Sequence, residues 1–183
     1  MLKAGILFLM LVATTAVSAS QTDEVNNTLF GLGLVPPIQF PGTDFGVHGL
    51  RLNVIGLNRE VSGVDLSLIG GVTNSGFTGL QLAGLLNLNR GDATVVGFQG
   101  AIGANVNLRQ GDVYGLQIGA ANIGPTMNVT GVEVGLYNRA GVMRGLQLGL
   151  VNVAETLRGI QIGLANFNNA GPWKAAPVLN VAF

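Results

Sequence analysis

The chain has 183 residues, of which 48% are apolar and only 10% are charged, and its net charge at pH 7 is zero. The apolar content argues against a disordered chain, and the lack of a basic excess argues against nucleic-acid binding, which needs cations to neutralise phosphates. Cysteine is absent, which excludes disulfides, thiolate catalysis and cysteine metal sites, and the single His48 leaves no histidine cluster.

The first nineteen residues have the order of a secretory signal peptide. Lys3 precedes an apolar run from Ala4 to about Ala13, and the small-residue pattern 17–19 follows. The run is shorter than the roughly twenty apolar residues that a membrane-spanning helix needs, so an N-terminal anchor is the weaker alternative. We therefore expect cleavage after residue 19, an N-terminal segment over 20–46 with a possible first strand at 29–35, and a repeat β domain over 47–183.

A short motif recurs along most of this domain, as in "GLQLGLVN" at 145 and "GIQIGLAN" at 159. Its first glycines are Gly49, Gly63, Gly79, Gly97, Gly115, Gly131, Gly145 and Gly159, which are 14, 16 or 18 residues apart. Repeats of this kind indicate a structure assembled from one small unit stacked or paired many times.

Each repeat alternates apolar and other residues with a period of two, which predicts a strand with two unlike faces. One face is aliphatic, as in Leu146, Leu148 and Leu150. The other carries the glycine, then a polar residue, then a mostly small residue. The polar residues form one column, Arg51, Asp65, Gln81, Gln99, Gln117, Glu133, Gln147 and Gln161.

Turn-like segments separate the repeats, near 59–61, 90–92, 109–112, 124–126, 139–141 and 154–156. One strand and one turn per repeat, with a further strand at 176–183, predict an all-β fold: an antiparallel up-and-down closed β-barrel of 8–10 strands. The alternative is a β-solenoid, in which each repeat is one coil and the glycine marks a corner. In that case Asn122, Asn138, Asn152 and Asn166 would stack as a ladder.

Either the aliphatic face or the polar face of each strand points into the barrel. The narrow interior of a small barrel favours the polar face. The interior of a barrel of about eight strands has no room for three large aliphatic residues per strand. The aliphatic face would then meet lipid, and the polar column would line a lumen; in a solenoid the column would be an outer stripe. One feature conflicts with a flat strand: an apolar residue such as Val113 or Val129 precedes each glycine by two positions, on the polar face, unless the glycine bends the chain.

Two parts of the sequence resemble known families. The ending "VLNVAF", with Leu179, Val181 and Phe183 on one face, resembles the final strand of bacterial outer-membrane β-barrel proteins. The repeat Gly-apolar-Gln-apolar-Gly-apolar-any-Asn, clearest at 115–166, resembles bacterial surface repeat proteins and the shallow repeat-built barrel called the β-flower. These resemblances imply export to the bacterial outer membrane or cell surface, contact with membrane lipid, and recognition of Phe183 by the outer-membrane assembly machinery. They imply no chemistry.

No set of nucleophile, base and orienting group can be assembled from the sequence, so we expect a protein that is not an enzyme and uses no cofactor or metal. The tripeptide at 90–92, Arg-Gly-Asp, is good turn material, and His48, near Asp44 and Asp65, is expected to be a polar strand-edge residue. The predicted function is an envelope-associated barrel with a structural, lipid-contacting or narrow-pore role. The alternative is a soluble exported solenoid that binds a partner or surface.

Overall fold

The computed structural model describes residues 26–183, so the predicted signal peptide lies outside the described residues. The described chain is all-β, and its strands join one sheet. The strands are β1 (Asn27–Val35), β2 (Ile38–Phe40), β3 (Gly46–Ala83), β4 (Leu86–Asn89), β5 (Asp92–Ala101), β6 (Ala104–Asn107), β7 (Gly111–Ile118), β8 (Ala121–Val134), β9 (Tyr137–Leu148), β10 (Val151–Asn168) and β11 (Ala175–Ala182). Within residues 26–183, no helix has the length and apolarity to cross a membrane.

Successive repeats stack in parallel and in register. Between β9 and β10, Gly145 pairs with Gly159 and Gln147 with Gln161, and the same correspondence holds between β7 and β8. Each repeat is thus one coil of a β-solenoid, about 4.8 Å from the next. The predicted antiparallel closed barrel is wrong, and the solenoid alternative describes the fold.

The barrel prediction failed because the residues between the motifs do not form hairpin turns. The segment 139–141, predicted as a hairpin turn, runs as strand within β9, and the chain continues around the coil instead of reversing. An even repeat length keeps side-chain parity in a hairpin and in a coil alike, so spacing alone could not separate the two folds.

Each coil has three sides, which we name by their inward residues. The apolar side precedes the repeat glycine, and the glutamine side is the four residues after it. The asparagine side follows a second bend, such as 135–136, and its segments pair in parallel from coil to coil. These segments are 70–73, 86–89, 104–107, 121–124, 137–140 and 151–154.

The repeat glycine makes the bend between the apolar and glutamine sides. Gly131 has a φ of 142°, a conformation that side chains disfavour, and a Cβ there would overlap the carbonyl oxygen of Gly115 in the preceding coil. Because the chain bends here, the residues two before and two after the glycine both point inward, as Val129 and Glu133 do. The bend removes the conflict that the sequence presented.

The interior is therefore apolar in one part and polar in the rest. The apolar part is a column of buried side chains at the position two before each glycine: Val47, Val61, Phe77, Val95, Val113, Val129, Met143 and Leu157.

Short strands cover the two ends of the stack. At the first coil, β1 lies parallel to β3, and β2 pairs antiparallel with β1. At the last coil, β11 reverses direction and pairs antiparallel with β10, from Gly159 opposite Ala182 to Phe167 opposite Ala175. Phe183 is almost fully exposed at the end of β11.

Candidate functional site

The polar column predicted from the sequence forms the interior of the glutamine side. All eight residues are buried: Arg51, Asp65, Gln81, Gln99, Gln117, Glu133, Gln147 and Gln161. The column therefore packs inside the coils, and the outer polar stripe that we expected for a solenoid is wrong. The aliphatic residues that alternate with it point outward, as we expected for the barrel.

The glutamine amides form a directional ladder along the solenoid. Gln161 Nε2 donates to Gln147 Oε1 at 2.7 Å, and Gln147 Nε2 donates to Glu133 Oε2 at 2.5 Å. A second run passes from Gln117 through Gln99 and Gln81 to Asp65 Oδ2, with donor–acceptor distances of 2.5, 2.8 and 3.1 Å. Each run thus donates toward the N-terminal coils and ends on a carboxylate.

The first carboxylate, Asp65, is balanced by a buried cation. Arg51 makes a bidentate pair with it, Nε to Oδ1 at 2.9 Å and Nη2 to Oδ2 at 2.6 Å. The remaining guanidinium nitrogen, Nη1, donates to Asn58 Oδ1 and to the Val72 carbonyl, both at 3.2 Å. Gly71 leaves room for this pair, because a Cβ there would meet Asp65 and Arg51 atoms. The pair is fully satisfied by hydrogen bonds, as a buried ion pair must be.

The second carboxylate, Glu133, has no cation beside it among the described residues. Burial raises the pKa of Glu133 from 4.5 to about 7, and the hydrogen bond from Gln147 opposes that rise only in part. Glu133 is therefore a titratable group inside an otherwise neutral amide ladder.

The asparagine side carries a second ladder, and it is longer than the sequence indicated. Five consecutive hydrogen bonds, each from Nδ2 to Oδ1 of the next coil at 2.8 Å, join Asn87, Asn105, Asn122, Asn138, Asn152 and Asn166. The predicted stacking of the last four is confirmed. All six Nδ2 groups also donate to a backbone carbonyl, as Asn138 does to Leu148 of the next coil at 2.9 Å.

Sequence reasoning missed a third set of buried polar groups, Thr73, Asn89 and Asn107. Asn89 Nδ2 donates to Asn107 Oδ1 at 2.7 Å and to Gln81 Oε1 at 3.1 Å, so this column is hydrogen-bonded to the glutamine ladder. The alternation "NLN" at 87–89 and "NVN" at 105–107 is the signal that could have found it.

On the glutamine and asparagine sides, the outward residues are mostly apolar and the inward residues are mostly polar. On the glutamine side the outward positions are all aliphatic or aromatic, apart from Gly100: Leu50, Leu52, Val64, Leu66, Leu80, Leu82, Phe98, Leu116, Ile118, Val132, Val134, Leu146, Leu148, Ile160 and Ile162. On the asparagine side they include Leu86, Leu88, Val106, Ile123, Val151 and Val153, with Arg139 as the charged exception. The solenoid thus presents two adjoining apolar slopes.

The bend between the two slopes forms a protruding line of side chains, which we call the ridge: Leu68, Leu85, Ile102, Leu136, Leu150 and Leu164. Its members are among the most exposed apolar residues, with Leu68 at 72%, Ile102 at 79% and Leu136 at 60% exposure. Large contiguous apolar surfaces of this kind mark interaction sites.

The outward face of the apolar side is polar, and it lies beyond the glycine bend from the slopes. It carries Glu60, Ser62, Thr78, Thr94, Asp112, Asn128, Thr130, Arg144, Thr156 and Arg158, with Val96, Tyr114 and Val142 among them. Charged and apolar residues are therefore segregated on different sides of the coil.

The minor candidates do not assemble into a reactive site. Asp65 is engaged by Arg51 and does not serve His48, whose Nε2 is buried without a hydrogen-bond partner. Arg90 Nη1 bonds Asn74 Oδ1 at 3.3 Å, and the tripeptide at 90–92 connects β4 to β5 in the same coil direction instead of closing a hairpin. Among residues 26–183, no group of three or more His, Asp or Glu side chains is placed to hold a metal.

The chain matches no protein-family model, no curated protein and no solved structure.

Proposed function

We propose that this protein is an exported, non-enzymatic β-solenoid that binds a surface or partner through its two apolar slopes and the ridge between them. The observation that carries the proposal is the ridge, six large aliphatic side chains stacked along the solenoid at roughly 4.8 Å intervals or small multiples of it and open to solvent. Export rests on the order of charge, apolar run and small residues in 1–19.

The hydrogen bonding of the interior side chains favours a binding role for the outer surface and not a chemical role for the interior. Most of its polar side chains hydrogen-bond to one another or to backbone carbonyls, as Gln147 and Asn138 do, so they hold the coils in register. A rigid solenoid is well suited to display a repeated surface, because each coil places the same outward positions in line with those of its neighbour.

Chemical labelling tests the proposal, since the natural chain has no cysteine. We expect Leu148→Cys to be shielded from a water-soluble thiol reagent in the cell envelope and to react once the protein is purified away from its surroundings. The matched control is Gln110→Cys, at an exposed position in the segment between β6 and β7, which should react in both states. Equal reactivity of Leu148→Cys in both states would contradict a function in which this face is covered.

A further inference from the structure

We infer that the partner is a lipid layer, and that the solenoid lies on it with the ridge and both slopes inserted into one leaflet while Arg144 and Arg158 meet phosphate headgroups. The inference rests on the proposed function, and it names the surface that the slopes contact.

The shape of the apolar surface favours lipid over a second copy of the chain. Eight coils extend about 34 Å, and each slope is about 16 Å wide, so each slope offers roughly 550 Å². A dimer formed through one slope would bury about 1,100 Å² in total, less than the roughly 1,600 Å² typical of a stable complex, and the second slope would stay in water. A lipid layer covers the ridge and both slopes at once.

The depth of the slopes fits one leaflet. From the ridge residue Leu136 back to the glycine bend at Gly131 is five residues, or about 16 Å of strand. The hydrocarbon of a single leaflet is about 15 Å thick, half of the roughly 30 Å core. The same width is too short for a strand that must cross the whole core, so insertion to half depth is the arrangement that the slopes permit.

Charge supports this placement. Arg144 and Arg158 lie directly beyond the glycine bend, where the headgroups would be, and they are register partners on neighbouring coils. Both are exposed, and neither side chain has a hydrogen bond or an ion pair within residues 26–183. Like charges opposite each other on paired strands are unfavourable, and a phosphate between the two guanidinium groups would relieve the repulsion.

Two further residues bear on the depth. Tyr114 occupies the same position before its glycine as the two arginines and is half exposed, which suits the membrane–water interface, where tyrosine is enriched. Arg139 lies on the asparagine-side slope, where its long side chain can extend toward the interface, and its guanidinium is 3.9 Å from Glu155.

Fluorescence quenching by lipid tests the inference in the full chain. Trp173 is the only tryptophan, so Trp173→Phe gives a silent background. Into it we would place Leu136→Trp on the ridge or, as a control, Gln110→Trp in the segment between β6 and β7. With vesicles of phosphatidylcholine and phosphatidylglycerol brominated on the acyl chains, we expect the ridge tryptophan to shift to the blue and to be quenched at least twofold more than the control.

The headgroup contact has its own test. Replacing both Arg144 and Arg158 by Gln should weaken binding to phosphatidylglycerol vesicles about 25-fold, since each arginine near an anionic surface contributes about fivefold. Thr130→Gln, at the exposed position in register with Arg144 on the preceding coil, alters no charge and should change binding less than twofold. Circular dichroism of each variant verifies that the coils are intact, and because all these positions are outward, the interior ladders do not change.

The outcomes separate this inference from the proposed function. A ridge tryptophan that brominated lipid does not quench, in a folded protein whose Leu148→Cys is still shielded in the envelope, overturns the lipid assignment and leaves binding to another partner. Equal effects of the double arginine variant and Thr130→Gln overturn the headgroup contact. Loss of shielding at Leu148→Cys overturns the proposed function itself.

Discussion

At the scale of single residues, the two buried carboxylates show how environment decides charge. Asp65 and Glu133 occupy equivalent positions two residues after a repeat glycine, and each accepts from the glutamine of the next coil. Only Asp65 has a guanidinium beside it. The same column therefore holds one carboxylate paired with a cation and one whose pKa is raised to about 7 by burial.

The raised pKa of Glu133 predicts that stability depends on pH. Between pH 4.5 and about 7 the folded state keeps a proton that the unfolded chain releases. The contribution of this group to the free energy of unfolding should therefore be greatest below pH 4.5 and fall by about 3 kcal/mol in all as pH rises through about 7. Glu133→Gln should remove this contribution and be more stable than the natural chain at pH 8.

Urea unfolding at several pH values measures the effect of Glu133. Gln147→Glu in the same ladder is an informative companion, because it adds a second carboxylate opposite the first and should steepen the loss of stability. A stability profile for Glu133→Gln that parallels that of the natural chain from pH 4.5 to 8 would contradict the assignment.

Removing Asp65 tests how much free energy of unfolding is lost when one member of a buried ion pair is left without its partner. Asp65→Ala leaves the guanidinium without its two carboxylate contacts in a closed interior. We expect a loss of about 3 to 5 kcal/mol in the free energy of unfolding, because an uncompensated charge remains buried. Asp112→Ala, at the outer surface of β7, should cost less than about 1 kcal/mol and serves as the control in thermal or urea unfolding.

At the scale of the coil, the bend at the repeat glycine is the element that turns a strand into a solenoid corner. Gly131 and Gly97 both have positive φ, but their surroundings differ. A Cβ on Gly131 would overlap the backbone of Gly115, whereas a Cβ on Gly97 meets nothing within 4 Å. The two positions allow strain and collision to be separated.

We expect Gly97→Ala to cost about 1 to 3 kcal/mol, the strain of the backbone conformation alone. Gly131, with a φ of 142° against 91° at Gly97, is also in a conformation that alanine disfavours, and its Cβ would in addition collide with a neighbouring coil that cannot move without breaking the ladder, so the cost of Gly131→Ala should be clearly larger. Denaturant unfolding of both variants measures the difference. Equal losses would show that the close approach between coils at Gly131 and Gly115 is not rigid.

The asparagine ladder gives the second prediction at this scale. Asn138→Ala removes the contacts at 2.8 Å to Asn122 and Asn152 and also the donor to the Leu148 carbonyl. Because the groups left behind are buried, we expect a loss of about 2 to 5 kcal/mol. Asn128→Ala, a half-buried residue whose Nδ2 bonds Asp112 at 3.1 Å, should lose at most about 1 kcal/mol. If the two losses are alike in urea unfolding, the ladder does not stabilise the stack as described.

At the scale of the whole molecule, the strands followed from the local period of two in the sequence. The outward aliphatic face was predicted only for the barrel, and the asparagine stacking only for the solenoid alternative. The direction of pairing did not follow, since repeats with even spacing keep parity whether the chain reverses or coils. The burial of Gln117 and Gln147 in a solenoid was also missed. A column of buried amides is unfavourable unless the amides of neighbouring coils hydrogen-bond each other, and those bonds form only when the coils pair in parallel register.

The candidate surface was predictable only in part. The aliphatic positions of single strands, such as Leu148, are visible in the sequence, but the ridge at Leu136 and Leu150 depends on the second bend of the coil. The pairing of Arg144 with Arg158 depends on the parallel register as well. Neither is visible before the coil is known.

The central claim is that the repeats stack in parallel with outward aliphatic side chains, and disulfide formation between engineered cysteines tests it directly. In the solenoid, Val132 lies in register with Leu146, at a Cα separation near 4.8 Å that a disulfide can bridge. A hairpin turning at 139–141 would instead place Val132 opposite Leu148. We predict that Val132→Cys with Leu146→Cys oxidises rapidly to an intramolecular disulfide and that Val132→Cys with Leu148→Cys does so far more slowly; the reverse order would contradict the parallel solenoid.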